Sequence, residues 1–220
     1  MLADAQQTQL LFPHWEIVRY LSNVVPWPYP PDGAYTHYRD AALPAMERGD
    51  AWHWTLRLKT DPERLIGSIN LRKGEDTNRG FWLGLTWHRQ GLMTEACEAV
   101  TDSWFNTLKF PVLRVTKAVA NVASSRISEK SGMRIVAMEQ RDYVSGRLPT
   151  EIWEIKAEEW NARRQTQDRM TVDKSPLRSS YESQCIMRER PASEGRSWLW
   201  GAASAALRCV GLRSATAARE

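Results

Sequence analysis

Between Thr86 and Met93 the hydrophobic period of this chain changes from two to about 3.6, and that switch limits what it can fold into. Upstream lie three alternating runs. Trp52–Lys59 places Trp52, Trp54, Leu56 and Leu58 in phase, Arg64–Arg72 places Leu65, Gly67, Ile69 and Leu71, and Arg79–Thr86 places Phe81, Leu83 and Leu85. The turns expected between them, Asp61-Pro62 and Gly74–Asn78, are short, so the three strands form an antiparallel meander. Downstream, Met93, Ala96, Cys97, Val100, Trp104 and Leu108 share one face of a helix that Pro111 stops.

The flanks complete the order. Phe12–Leu21 has helical spacing, the proline-rich run 25–31 excludes helix and central strand, and Asp32 opens a second helix that Gly49 ends. After the central helix come a strand over Val112–Ala120, a short helix over Val122–Ser131 closed by Gly132, and strands over Arg134–Gln140 and Ile152–Glu158. The succession α-α-β-β-β-α-β-α-β-β predicts an α/β (α+β) domain: a mixed, mostly antiparallel sheet flanked by helices.

Core-forming residues stop near residue 160. Nine of the eleven tryptophans lie at or before Trp160. Residues 161–220 carry 11 Lys+Arg and 6 Asp+Glu, whereas residues 1–160 carry 19 and 20. The basic character therefore belongs to the tail, which argues against a nucleic-acid-binding domain. The reading is a folded domain over 1–160 and a basic, disordered tail over 161–220, with a short helix over 198–210 as one alternative and an arm for anionic partners as another. No stretch is long and apolar enough to span a membrane. Three widely spaced cysteines suit a reducing cytoplasm, and four scattered histidines offer no metal-ligand spacing.

Between the third strand and the central helix lies Trp87-His88-Arg89-Gln90-Gly91-Leu92-Met93-Thr94. A loop feeding a helix start aims unpaired N–H groups and the positive end of a dipole at one point, which suits a phosphate. The competing reading is that Gly91 only makes a turn and Arg89 is solvated.

The run Gly80-Phe-Trp-Leu-Gly-Leu-Thr-Trp-His-Arg-Gln-Gly-Leu-Met-Thr-Glu-Ala resembles motif A of the GNAT superfamily of acetyltransferases, in its RimJ/RimL-like branch. Asn121-Val-Ala-Ser-Ser-Arg-Ile-Ser-Glu-Lys-Ser-Gly-Met resembles that branch's second signature, and the likeness covers roughly residues 12–160. The resemblance implies an acyltransferase with acetyl-CoA as donor and an amine as acceptor, either a protein N-terminus or a small molecule, with no metal. It implies that main-chain groups of Arg89, Gln90, Gly91, Leu92, Met93 and Thr94 cradle the CoA pyrophosphate. Leu83 and Leu85 would offer backbone groups to the pantetheine arm, Asn121 would bond the pantetheine, and Ser124 would face the thioester sulfur as contact or proton donor. On the residues alone, Asn121 reads as an N-cap and Ser124 as a first-turn serine.

The base is less defined. Glu139 is in phase with Ile135 and Ala137 and is the primary candidate, with His53 and Tyr143 behind it. Cys97, on the apolar helix face, reads as core. The chain departs from the family at His88, at Met93, and above all at its front, where the family's first strand is absent. That absence leaves a sheet edge bare and makes a CoA-binding but impaired domain the second reading. The expected assembly is a monomer or homodimer.

Overall fold

The computed structural model describes residues 2–172 and 184–188. Its elements are α1 (Ala5–Leu11), α2 (Trp15–Val18), α3 (Gly33–His37), α4 (Leu43–Glu47), β1 (Ala51–Leu58), β2 (Asp61–Arg72), β3 (Arg79–Leu83), α5 (Leu92–Asp102), β4 (Val112–Ala118), α6 (Val122–Lys130), β5 (Arg134–Tyr143), β6 (Gly146–Lys156), α7 (Ala157–Val172) and β7 (Cys185–Arg188). The expected α/β (α+β) order is present, and among the described residues no strand precedes α1.

Local chemistry sets the boundaries. The helix expected over Phe12–Leu21 is shortened to α2, and an unexpected α1 precedes it; Pro13, with no N–H to donate, lies between the two. Asp32 stands at the N-cap position of α3, yet its carboxylate takes the Thr36 hydroxyl at 3.3 Å and not a backbone amide. The β1–β2 turn falls before Asp61, so Pro62 belongs to the start of β2, beside register shifts at Leu56/Arg57 and Arg57/Leu58. β3 stops at Leu83, short of the expected Thr86, and a 3-10 turn follows over Leu85–Trp87. Gly84 permits that turn. A Cβ there would sit 2.7 Å from the Trp87 ring.

The strands form two sheets, in the orders β3-β2-β1-β7 and β4-β6-β5, with antiparallel pairing throughout. They touch at one end of β3 and β4. There Asn78 N donates to the Arg114 carbonyl at 2.7 Å, and Arg114 N donates to Asn78 Oδ1 at 2.8 Å. Thr77 and Thr116 share a hydroxyl contact of 2.9 Å. Beyond this junction the two strands form no ladder with each other, and the gap between them is termed the wedge.

α5 lies across both sheets. Its inner residues Met93, Ala96, Cys97 and Val100 join Trp54, Leu56, Ile69 and Leu71 of the first sheet to Leu113, Val115, Trp153 and Ile155 of the second in one core. Each large apolar side chain so buried contributes roughly 1.5–3 kcal/mol. Trp104 closes the far end, stacked on Phe110 at 4.1 Å with its indole N–H on the Val112 carbonyl at 2.8 Å.

The region beyond residue 160 contributes two elements. α7 runs through the expected domain boundary to Val172, with Trp160 buried in the core. β7 pairs with β1, Thr55 opposite Arg188 and Leu58 opposite Cys185. Lys59 N donates to the Gln184 carbonyl at 3.1 Å, Cys185 is buried, and Met187 packs against the core. The edge that an absent first strand would leave bare is therefore covered from the other end of the chain. The segment expected as a short helix over 198–210 lies outside the described residues.

Candidate active site

The wedge begins with hydrogen-bond parity. Gly84 N donates to the Ile66 carbonyl at 2.8 Å, within a register that pairs Leu83 with Gly67 and Trp82 with Ser68. In an antiparallel ladder alternate residues turn their backbone groups to opposite sides. Trp82 and Gly84 thus bond β2, and the main-chain groups of Phe81 and Leu83 face away from β2, into the wedge. The Leu83 carbonyl is met there by the His88 ring at 2.9 Å. Its side chain is core, so anything Leu83 offers a ligand comes from its backbone. Leu85 is exposed on the turn that follows.

The chain then bends through two left-handed residues, Arg89 at φ 63° and Gly91 at φ 81°. A Cβ on Gly91 would touch nothing, so glycine serves the backbone angle here and not a close contact. No side chain caps α5, and its first backbone bond is Glu95 N to the Gly91 carbonyl at 3.0 Å. The N–H groups of Leu92, Met93 and Thr94 are thus presented outward, while the Leu92 and Met93 side chains anchor the turn in the core. Arg89 and Gln90 stay exposed, with Gln90 tied back to the Thr86 carbonyl at 3.0 Å. The first acidic residue, Glu95, is turned aside. Its carboxylate accepts from the amides of Gln184 and Cys185 at 3.3 and 3.1 Å. The result is an open helix start with the nearby negative charge engaged elsewhere, an arrangement that suits an anion.

α6 begins on the other strand of the wedge. Asn121 caps it, its Oδ1 accepting from Ser124 N at 3.3 Å, which leaves the Nδ2 hydrogens outside the cap. Ser124 is buried beneath it. One turn on, Ser128 is fully buried and its hydroxyl has no partner, a feature the sequence reading passed over although it repeats Ser124 at helical spacing.

The base candidates are placed elsewhere. Glu139 sits on β5, with β6 between it and β4, and its carboxylate is held by Arg141, which also reaches Asp76 at 3.1 Å. The Tyr143 hydroxyl contacts Thr150 at 2.9 Å, and burial raises its pKa. His53 alternates with Trp54 and so faces away from α5. It stands 6.3 Å from the His37 ring, and burial pushes its pKa down to about 4. Cys97 is fully buried and burial raises its thiol pKa, in keeping with a core role. Among the described residues no cluster of His, Cys, Asp or Glu is arranged to hold a metal.

Unpaired strands beside an uncapped helix start are an arrangement that suits a phosphorylated ligand. The family model for the acetyltransferase (GNAT) domain matches residues 1–134, more than half of the chain. The chain belongs to this family of acyltransferases. It is 27% identical over 159 residues to the uncharacterized N-acetyltransferase YnaD of Bacillus subtilis (strain 168), covering 68% of this chain and 92% of YnaD. In fold it is similar to RimL, a ribosomal L7/L12 alpha-N-protein acetyltransferase solved with coenzyme A, at TM-score 0.60 and 14% identity over 71% of this chain and 90% of that one. It is equally similar to spermidine N-acetyltransferase of Vibrio cholerae solved with CoA and spermine, at TM-score 0.60 and 13% identity over 72% and 93%.

Proposed function

We propose that this protein is an N-acetyltransferase of RimJ/RimL-like type, moving an acetyl group from acetyl-CoA to a primary amine. The observation that carries the reading is the uncapped start of α5, with left-handed Arg89 and Gly91 and Glu95 drawn away. The amides of Arg89 to Thr94 would hold the pyrophosphate, with Arg89 adding charge. The Leu83 and Leu85 main chain would lead the pantetheine into the wedge, and Asn121 would meet it through Nδ2 from the other side. Acetyl-CoA supplies the activated acyl carbon. A backbone N–H of the wedge would then stabilise the developing oxyanion, and Ser124 would pass a proton to the leaving sulfur. An α-amino group has a pKa near 8, so the acceptor must shed a proton before it attacks. Glu139 is engaged by Arg141, so that proton leaves through water.

The relatives named above act on a protein N-terminus in one case and are solved with a polyamine in the other, and the acceptor here belongs to the same class of amines. The alternative of an impaired domain rested on a bare sheet edge, and β7 occupies that edge. Calorimetry with acetyl-CoA tests the donor half: saturable binding is expected, and its absence sinks the assignment. A thiol-release assay over N-terminal peptides and polyamines tests the acceptor half, with turnover expected for one of the two sets.

A further inference from the structure

Lys117 occupies a position where the strand pattern calls for an apolar residue. It is in phase with Leu113 and Val115 on β4, both fully buried, and it is itself 7% exposed. Its Nζ lies 4.5 Å from the centroid of the Phe81 ring, so the side chain reaches from β4 across the wedge to β3. Phe81 is two residues before Leu83, on the stretch whose main chain faces the wedge. Lys117 is thus at the inner end of the path that runs from the α5 start along Leu85 and Leu83.

The groups around it do not neutralise it. From β3, Arg79 is a second buried cation, bonded to Thr101 Oγ1 at 2.6 Å. From α5 the neighbour is Cys97, whose thiol stays protonated. From β6, Glu151 is opposite in register, but its carboxylate accepts from Ser125 Oγ at 3.2 Å and from Trp153 Nε1 at 2.9 Å. α6 turns Ser124, Ser125, Ser128 and, in part, Ile127 inward, none of them charged, and its charged residues Arg126, Glu129 and Lys130 are exposed. Burial, aided by Arg79, pushes the Lys117 pKa down to about 7, so near neutral pH much of it is the free amine. A desolvated amine is a nucleophile.

We propose that Lys117 is a self-acetylation site, taking an acetyl group from acetyl-CoA bound in the wedge. The Nζ lone pair forms a bond to the thioester carbonyl carbon, the carbon–sulfur bond breaks, and the CoA thiolate leaves with the proton that Nζ loses. The product is a neutral amide, which removes a buried charge that has no counter-ion. This inference rests on the donor site proposed above.

The test uses the full chain with acetyl-CoA above neutral pH, followed by intact mass and peptide mapping, with binding measured in parallel. One acetyl group is expected on Lys117, at a rate that saturates with acetyl-CoA and on the order of a hundredfold faster than at exposed Lys59 or Lys130. Lys117→Arg should bind acetyl-CoA and lose that modification alone. Saturable binding with an unmodified Lys117 peptide overturns the proposal and leaves the donor site standing. Modification of Lys117 no faster than of the surface lysines overturns it as well. Failure to bind removes both readings.

Discussion

The two sheets meet solvent at their outer edges in different ways. In the first, β1 would be the rim, and β7 covers it with a four-residue ladder, a buried Cys185 and a packed Met187. In the second, β5 is the rim, and it leaves Ile135, Val136 and Met138 exposed at 45, 44 and 59%. That edge is blunted by other means. The register jumps from Ile135 to Ala137, so Val136 is bulged out of the ladder, and Arg134, Glu139 and Arg141 line the strand with charge. The end of the rim makes one isolated bridge, Tyr143 to Ser22. A strand can be guarded by covering it or by making it a poor template, and this molecule uses one method per sheet. Only the covered rim is tied to the donor site, through Glu95.

Truncation after Val172 should break the comparison most strongly. It removes the β7 ladder and the burial of two side chains, a loss of about 3 kcal/mol that lowers Tm by roughly 6–12 °C. Size-exclusion chromatography should show self-association through the bared β1. A melting curve identical to that of the full chain would mean that the rim needs no cover.

Acid titration should come next. His53 on β1 is held neutral, with a folded pKa of about 4 against an ordinary 6.5, so the unfolded chain binds the extra proton first. The stability it contributes is present above pH 6.5 and lost as pH falls toward 4, by about 3 kcal/mol, and His37 shifts in the same direction. His53→Asn should flatten that limb in urea melts. On the second sheet Lys117 acts in the other pH range: its penalty is relieved as pH rises from about 7 toward 10.5.

Glu95→Ala removes the carboxylate that holds the Gln184 and Cys185 amides, at a cost of about 1–2 kcal/mol. The sharper readout is the Cys185 thiol, which should react faster with a thiol reagent than in the parent while Cys97 stays protected. Equal rates would detach the latch from the rim. Gly91→Ala should have the smallest effect, about 1 kcal/mol of backbone strain, read as a roughly fivefold loss of acetyl-CoA affinity. Its Cβ meets no neighbour, so a collapse of the fold would contradict the reading of Gly91 as a purely conformational glycine.

Much of this architecture is legible in the chain because period and side-chain chemistry agree. Trp54, Leu56, Ile69 and Leu71 announce strands by alternation, and Met93, Ala96, Cys97 and Val100 announce α5. Those residues do form the shared core. The loop Arg89–Thr94 was also readable, since a glycine between an alternating run and a helical period marks a turn that needs a left-handed residue. β7 was not. Cys185-Ile-Met-Arg is four residues long in a polar stretch, too short for a period to show, and its partner lies more than a hundred residues away. Lys117 was visible as a lysine in an apolar phase, but only the arrangement of Phe81 and Arg79 around it gives that anomaly a chemical meaning. For Glu139 strand phase puts its side chain and that of Arg141 on one face, and the structure adds the ion pair between them.

The pairing of Leu58 with Cys185 also has a timetable. At ordinary translation rates the ribosome needs on the order of ten seconds to travel between those two residues. Throughout that interval β1 lacks the partner that covers its outer edge. Whatever shields β1 during synthesis must release it in time for its own late-arriving strand.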